Sequence, residues 1–305
     1  MLDNSLGLWY CCFMGTVHSR QAYAKVNLHL AIGAPFADGY HPIESIFALV
    51  NLADHIEMTW DQSDVFSFSV TGLEAYCDKG SDTLTKAALL WHERTLLPLS
   101  VQVHCEKHIP VKAGLGGGSS DAASLLLMLQ EAAGEKALPP QVLEQVALQV
   151  GSDVPFFLSG FSCALVEGRG EKVSFLSLVP KHIVLVQPKA YSVSTKEAYA
   201  RIDALLSRNG LFQRVSLPTV LTALEKETSC WRGVLYNDFE KCTEYPEFYE
   251  TMKNICDSYV GFGSLSGSGS CWFFISEDDK SVLELCRDLY NKFMDSVQLW
   301  CTDLI

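Results

Sequence analysis

The sequence predicts an α+β fold in two parts. Three observations predict it: strand-like and helix-like stretches are mixed along the chain, the 305 residues exceed one ordinary domain, and Pro180 stands just ahead of a fresh apolar strand pattern. The expected organisation is an extension at residues 1–20, a first part at 21–178 and a second α+β part at 179–305.

The elements follow in order. "MLDNSLGLWYCCFM" carries Asp3 and no Lys or Arg, unlike a secretory leader, so residues 1–20 are expected to be an extension, with Met14 as an alternative start. "RQAYAKVNLHLAIG" (20–33) alternates in part and reads as a strand. A turn at Asp38-Gly39, an apolar stretch and a further strand near His55–Trp60 come next, then a strand in "DVFSFSVTG" ended by Gly72. Asp82 caps a helix expected over 82–96, and "LSVQVHCEKHIP" (99–110) is a strand that feeds a glycine loop. Beyond the loop, Ala122, Leu125, Leu126, Leu129 and Ala133 share one helix face, ended near Gly134. A second helix spans Pro140–Val150 and stops at Gly151, and "FSCALVEGRGEKVSFL" reads as a hairpin. In the second part, "HIVLVQP" is a strand, "SLSGSGSCWFFIS" (264–276) joins a second glycine loop to a strand, and a closing helix lies near 279–294.

Composition narrows the function. With 36 acidic and 23 basic residues the net charge is −13, which argues against a nucleic-acid or anionic-membrane surface but leaves room for a local anion site. No apolar run reaches the length of a membrane span. Eleven cysteines without a CxxC pair read as reduced thiols, and so as a cytoplasmic protein. His104 and His108 flank Cys105, but in a strand with no third ligand nearby they read as solvated or core-edge histidines.

The densest signal is "PVKAGLGGGSSDAAS" (110–124), with Gly114, Gly116, Gly117 and Gly118 directly ahead of a helix. Free amides and the positive end of the helix dipole then meet in one place, and both attract phosphate. Glycine lets the backbone approach an anion closely, and Ser119 and Ser120 add hydroxyls suited to phosphate or to a phosphate-bound Mg²⁺. The plainer alternative is a glycine turn with a serine cap. A P-loop is excluded because no lysine follows the glycines. A dinucleotide fingerprint needs a third glycine where Ser119 stands, but residues 101–130 mimic that pattern loosely, so a dinucleotide oxidoreductase stays a competing reading.

Together with "AKVNLHL" (24–30), "DGYHPIES" (38–45), "GSDVPFFLSG" (151–160) and "LSGSGSCWF" (265–273), in that order, the loop resembles the galactokinase, homoserine kinase, mevalonate kinase and phosphomevalonate kinase superfamily. The doubled glycine and the polar residue after the serines are similar to its branch acting on a cytidine-diphosphate-linked methylerythritol. The chain before Gln21 lies outside the resemblance. The resemblance implies a two-domain small-molecule kinase using ATP and Mg²⁺, which phosphorylates the 2-hydroxyl of that substrate on the non-mevalonate isoprenoid route. It assigns the nucleotide to Pro110, Val111, Lys112, Ala113, Gly114, Leu115, Gly116, Gly117, Gly118, Ser119 and Ser120. Asp153 is implied as general base and Lys25 as the cation that favours its charged form. On their own they would read as a turn cap and a solvated strand lysine. Asn27, Tyr40, His41, Thr195 and Tyr199 are the implied substrate residues, Tyr199 opposing Tyr40 across the base. No carboxylate ligand for Mg²⁺ is singled out, and oligomeric state stays open. Competing readings are another kinase of the superfamily, for homoserine or mevalonate, and a non-catalytic ligand sensor.

Overall fold

The structure, a computed structural model, describes residues 17–210 and 212–305. Most of the expected extension, residues 1–16, lies outside the described residues. The first strand, β1 (His18–Ile32), already includes residues 18–20, which pair with Met58, Glu57 and Ile56.

Beside β1 runs β2 (Ile43–Gln62), one strand of 20 residues where the sequence suggested an apolar stretch and a separate strand. β2 is the centre of the first sheet, whose order is β3-β4-β2-β5-β6 with β1 also on β2. β3 (Ser67–Thr71) and β4 (Leu99–Glu106) are parallel, joined through helix α1 (Thr83–Thr95). Asp82 caps α1 by accepting from the Thr85 amide at 2.6 Å. α2 (Gly117–Ala133) follows the glycine loop, and α3 (Pro140–Val150) ends at Gly151 as its sequence signals require. A short helix, α4 (Val154–Leu158), leads to the hairpin of β5 (Cys163–Gly168) and β6 (Lys172–Phe175).

The chain enters a second sheet at β7 (His182–Pro188). α5 (Thr195–Asn209), α6 (Leu217–Leu224) and α7 (Pro246–Cys256) precede β8 (Phe262–Leu265) and β9 (Trp272–Ser276). α8 (Asp279–Phe293) and β10 (Val297–Asp303) complete it, in the order β10-β7-β9-β8.

The apolar periodicities explain the packing. Leu125, Leu126 and Leu129 of α2 bury with Trp91 of α1 against Ile56, Val101 and Val103 of the first sheet. On the other face of β1 and β2, Val26, Ile46 and Val50 share a core with Ile183, Leu185, Phe273 and Trp231 of the second part. A third core, under α5, α7 and α8, holds Val184, Trp272 and Phe274. The middle core joins the two sheets, and the cleft opens where they meet.

Candidate active site

A cleft of about 460 Å³ is lined continuously by the loop from Pro110 to Ser119, and by Lys25, Asn27, Asp153, Thr195 and Tyr199. These come from four separate stretches of sequence. Lys25 and Asn27 stand two apart on β1, so alternation sends both to one face, and the register shift between Asn27 and His29 marks the strand there.

Lys25 is buried, and a buried ammonium needs all its donors used. Its Nζ donates to Asn27 Oδ1 at 2.7 Å and Gly114 O at 3.1 Å, and lies 3.4 Å from Asp153 Oδ2. Asn27 in turn donates to Ser45 Oγ at 3.0 Å, and Ser45 to His29 O, so a fixed chain of hydrogen bonds orients the lysine. Asp153 sits at the cap position of α4, yet its side chain makes no capping hydrogen bond. Its carboxylate is turned to Lys25 instead, which disfavours the turn-cap reading. The joint geometry places an acceptor and a cation side by side against the glycine loop.

The loop itself curls through left-handed residues at alternate positions, Lys112 (φ 54°), Gly114 (φ 77°) and Gly116 (φ 73°). At Gly114 a Cβ would stand 2.0 Å from Ser266 O, so only glycine fits. Gly116 precedes α2 with no side-chain cap, which leaves the first amides of the helix without a capping side chain. Ser119 lines the cleft, whereas Ser120 is buried and does not. The second glycine loop braces the first: Ser266 Oγ donates to Gly114 O at 2.9 Å and Cys271 N to Ala113 O at 3.0 Å.

Beneath the loop lies a cluster that the sequence reading missed. Lys107, on the cleft wall, pairs with Asp54 and, at 2.7 Å, with Asp121. Asp54 also accepts from the amides of His108 (2.6 Å) and Ile109 (2.8 Å), while Asp121 belongs to the first turns of α2. One buried ion cluster thus ties the chain entering the loop to the helix leaving it. Burial opposes the charge on Lys107, but the Asp121 and Asp54 carboxylates outweigh it and raise its pKa. Burial pushes the Asp121 carboxyl up to about 7, against the pull of Lys107. The signal was present in the sequence, as a lysine inside "HCEKH" and an aspartate after "GGGSS", but nothing in it links them to Asp54.

On the other side, Thr195 Oγ1 lies 3.2 Å from Ser268 Oγ, bringing α5 to the second glycine loop. Tyr199 stacks on His41 with ring centroids 5.2 Å apart, so His41 rather than Tyr40 faces Tyr199 here. The buried Tyr199 phenol is pushed up to about 12 by desolvation and by Asp153. His41 Nδ1 donates to Gly33 O at 2.8 Å, which fixes the ring; its Nε2, 3.0 Å from Asp203 Oδ1, makes no hydrogen bond. Tyr40 is exposed outside the cleft wall, against the guanidinium of Arg169 at 5.1 Å. Arg169 pairs with Asp38 at 2.6 Å, so the β5–β6 turn props the "DGYH" loop. His104 bonds to Thr71 and His108 lies beside Glu106; among the described residues no group of three His, Cys, Asp or Glu side chains is placed to hold a metal.

Comparison with known proteins agrees with this architecture. Residues 82–161, which hold α1, the loop and α2–α4, match the family described as GHMP kinases N terminal domain. The fold and cleft therefore define a small-molecule kinase of the GHMP class. A protein of Polaromonas naphthalenivorans named 4-diphosphocytidyl-2-C-methyl-D-erythritol kinase is 42% identical, over 86% of this chain and 86% of its own. One of the same name in Chlorobium limicola is 36% identical over 88% of this chain and 93% of its own. A crystal structure of 4-(cytidine 5'-diphospho)-2C-methyl-D-erythritol kinase superposes with a TM-score of 0.72 at 29% identity, covering 94% of this chain and 99% of that one. A homoserine kinase from Cytophaga hutchinsonii has a TM-score of 0.63 at 18% identity over 94% and 96% of the two chains, a likeness of fold alone. This chain belongs to the 4-diphosphocytidyl-2-C-methyl-D-erythritol kinase family.

Proposed function

We propose that the protein transfers the γ-phosphoryl group of ATP to the 2-hydroxyl of 4-diphosphocytidyl-2-C-methyl-D-erythritol, a step toward isoprenoid precursors on the non-mevalonate route. The observation that carries this reading is the Lys25–Asp153 pair, 3.4 Å apart and linked to the glycine loop through Gly114 O. Phosphoryl transfer needs a held triphosphate, neutralised charge and a positioned hydroxyl. The loop amides and the uncapped start of α2 bind the phosphates, and the glycines at 114 and 116–118 let the loop pack closely enough to present them. Ser119 is the cleft hydroxyl that would help hold Mg²⁺, which would supply charge neutralisation when bound. Asp153 takes the proton of the attacking hydroxyl, and Lys25 holds that carboxylate in place and offsets charge on the oxygen.

For the acceptor, Tyr199 and the ordered His41 ring support a planar base, with Tyr40 at the exposed rim, Asn27 buried in the cleft and Thr195 on its exposed wall. Eleven cysteines and the absence, among the described residues, of a helix long and apolar enough to cross a membrane fit a cytoplasmic site of action. The test is ADP release with the cytidine substrate, homoserine, mevalonate or no acceptor. Release with the cytidine substrate alone is expected; release only with homoserine or mevalonate overturns the substrate, and none with any acceptor overturns the kinase reading. Asp153→Asn is expected to bind both substrates while losing about 10²–10⁴-fold in turnover. Near-normal turnover in that variant removes Asp153 as the base.

A further inference from the structure

The other notable chemistry in the molecule lies at its far end, in α8 and β10. The two are joined by a 3-10 turn at Met294–Ser296 and run back along each other. Seven residues of helix from Cys286 to Phe293 span roughly 10 Å at ~1.5 Å each, and four residues of strand from Val297 to Cys301 span roughly 13 Å at ~3.4 Å each. The two cysteines are therefore level with one another. The same matching holds at the open end, where His182 lies 2.7 Å from both Asp279, the first residue of α8, and Asp303, the last of β10.

Facing is settled independently. Val297 and Leu299 of β10 pack into the core beneath α8, so Cys301, two further along, points the same way. Trp300 packs into the core between the sheets, on the opposite face. On α8, Val282, Leu285 and Leu289 are buried, and Cys286 lies one turn from Val282 and from Leu289, at the edge of that stripe. The Sγ atoms stand 2.6 Å apart, Cys286 half-buried and Cys301 exposed.

We propose that Cys286 and Cys301 are a thiol–disulfide modification site, closed by a low-molecular-weight disulfide such as oxidised glutathione. The Cys301 thiolate attacks one sulfur of the external disulfide, breaks its S–S bond and releases one small thiolate. Cys286 then loses its proton and attacks Cys301 sulfur, forming the internal S–S bond and releasing the second thiolate. Two protein thiols give up two electrons and two protons, and one external disulfide becomes two thiols. The order follows from exposure, since Cys301 is the more open of the two to a reagent. It agrees with the contact between the two sulfurs, which lowers the Cys301 thiol while it raises that of Cys286. The other buried thiols, such as Cys163 and Cys271, are held up to about 12 by desolvation and are not exposed.

Neither cysteine lines the cleft, so the bond acts on stability. It closes a short loop and holds the last helix to the last strand, which restricts the unfolded chain. The full-length protein is to be incubated, folded, with oxidised glutathione, its remaining thiols blocked, and its peptides mapped by mass. A peptide pair linked through Cys286 and Cys301, lighter by two hydrogens, is expected, together with a rise of a few degrees in the thermal midpoint. In Cys286→Ser the second step is impossible, so glutathione stays on Cys301 and the midpoint does not rise. Stable glutathionylation of Cys301 in the unmutated protein, or linkage of either residue to a different cysteine, overturns the proposal, as does an unmodified pair when exposed Cys230 has reacted.

Discussion

Two carboxylates near the phosphate loop sit in opposite circumstances, and chemistry divides them accordingly. Asp153 is partly open to solvent and faces a single lysine, an arrangement suited to receiving a proton from a bound hydroxyl. Asp121 is sealed beneath the loop and shares Lys107 with Asp54, an arrangement suited to holding the backbone. The difference is testable through pH. Burial lifts the Asp121 carboxyl from 3.8 to about 7, so between those values the native state keeps a proton that the unfolded chain has released. A raised acid destabilises the fold as it ionises, and the Asp121 contribution to stability therefore falls as pH rises from about 4 to about 7. Asp121→Asn removes that titration, and its thermal midpoint is expected to vary less with pH over this window than that of the unmutated protein. Parallel midpoint curves for the two proteins count against the raised carboxyl. The two aspartates were not equally legible. Asp153 stood in a motif, while the lysine beside Asp121 is shared with Asp54 on β2, 53 residues before that lysine.

At the scale of elements, local signals carried the helices and the loop. Asp82 and Gly151 mark the ends of α1 and α3 because capping and stopping are local chemistry. β2 was read as two pieces because Asp54 interrupts its apolar pattern. An aspartate in mid-strand is sensible only once Lys107 and the amides of His108 and Ile109 are beside it, which no local pattern reveals. β10 was missed for a similar reason, since its partner β7 is more than a hundred residues earlier and it is partly exposed. The contact between the two glycine loops is an interlock, with Ser266 and Cys271 bonded to Gly114 and Ala113, and it has a specific test. Gly114→Ala adds a left-handed strain of roughly 1–2 kcal/mol and drives a methyl group onto Ser266 O. Gly134→Ala, also left-handed (φ 53°) but with nothing within 4 Å of the added carbon, supplies the strain alone. Gly114→Ala is expected to lose more thermal stability than Gly134→Ala and to raise KM for ATP, which Gly134→Ala leaves unchanged. Equal behaviour of the two variants breaks the interlock.

At the scale of the whole molecule, the middle of the three cores is shared by the two sheets and joins them. Backbone bonds cross between the parts at both ends: Leu30 N donates to Tyr236 O at 2.8 Å, and Ile305 N to Leu49 O at 3.1 Å. Thr302 Oγ1 adds a bond to Asn51 O at 2.9 Å. Between them, Trp231 is fully buried with Val26, Ile46 and Ile183, packed edge-on to Phe262 at 5.8 Å. The cleft requires this union, because Lys25 and Asp153 come from the first part and Thr195, Tyr199 and Ser268 from the second. If the sheets unfolded separately, the catalytic pair and the substrate wall would be lost independently; a shared core instead makes them a single cooperative unit. Trp231→Ala, an indole removed from that core, is expected to cost about 3–5 kcal/mol. Hydrogen exchange reads where the loss falls. Amides of β4, far from Trp231 in the first sheet, and of β9 in the second are expected to lose protection by the same amount. Loss confined to β9, with β4 unchanged, means two separately folding parts and refutes the shared core as the source of the cleft's integrity.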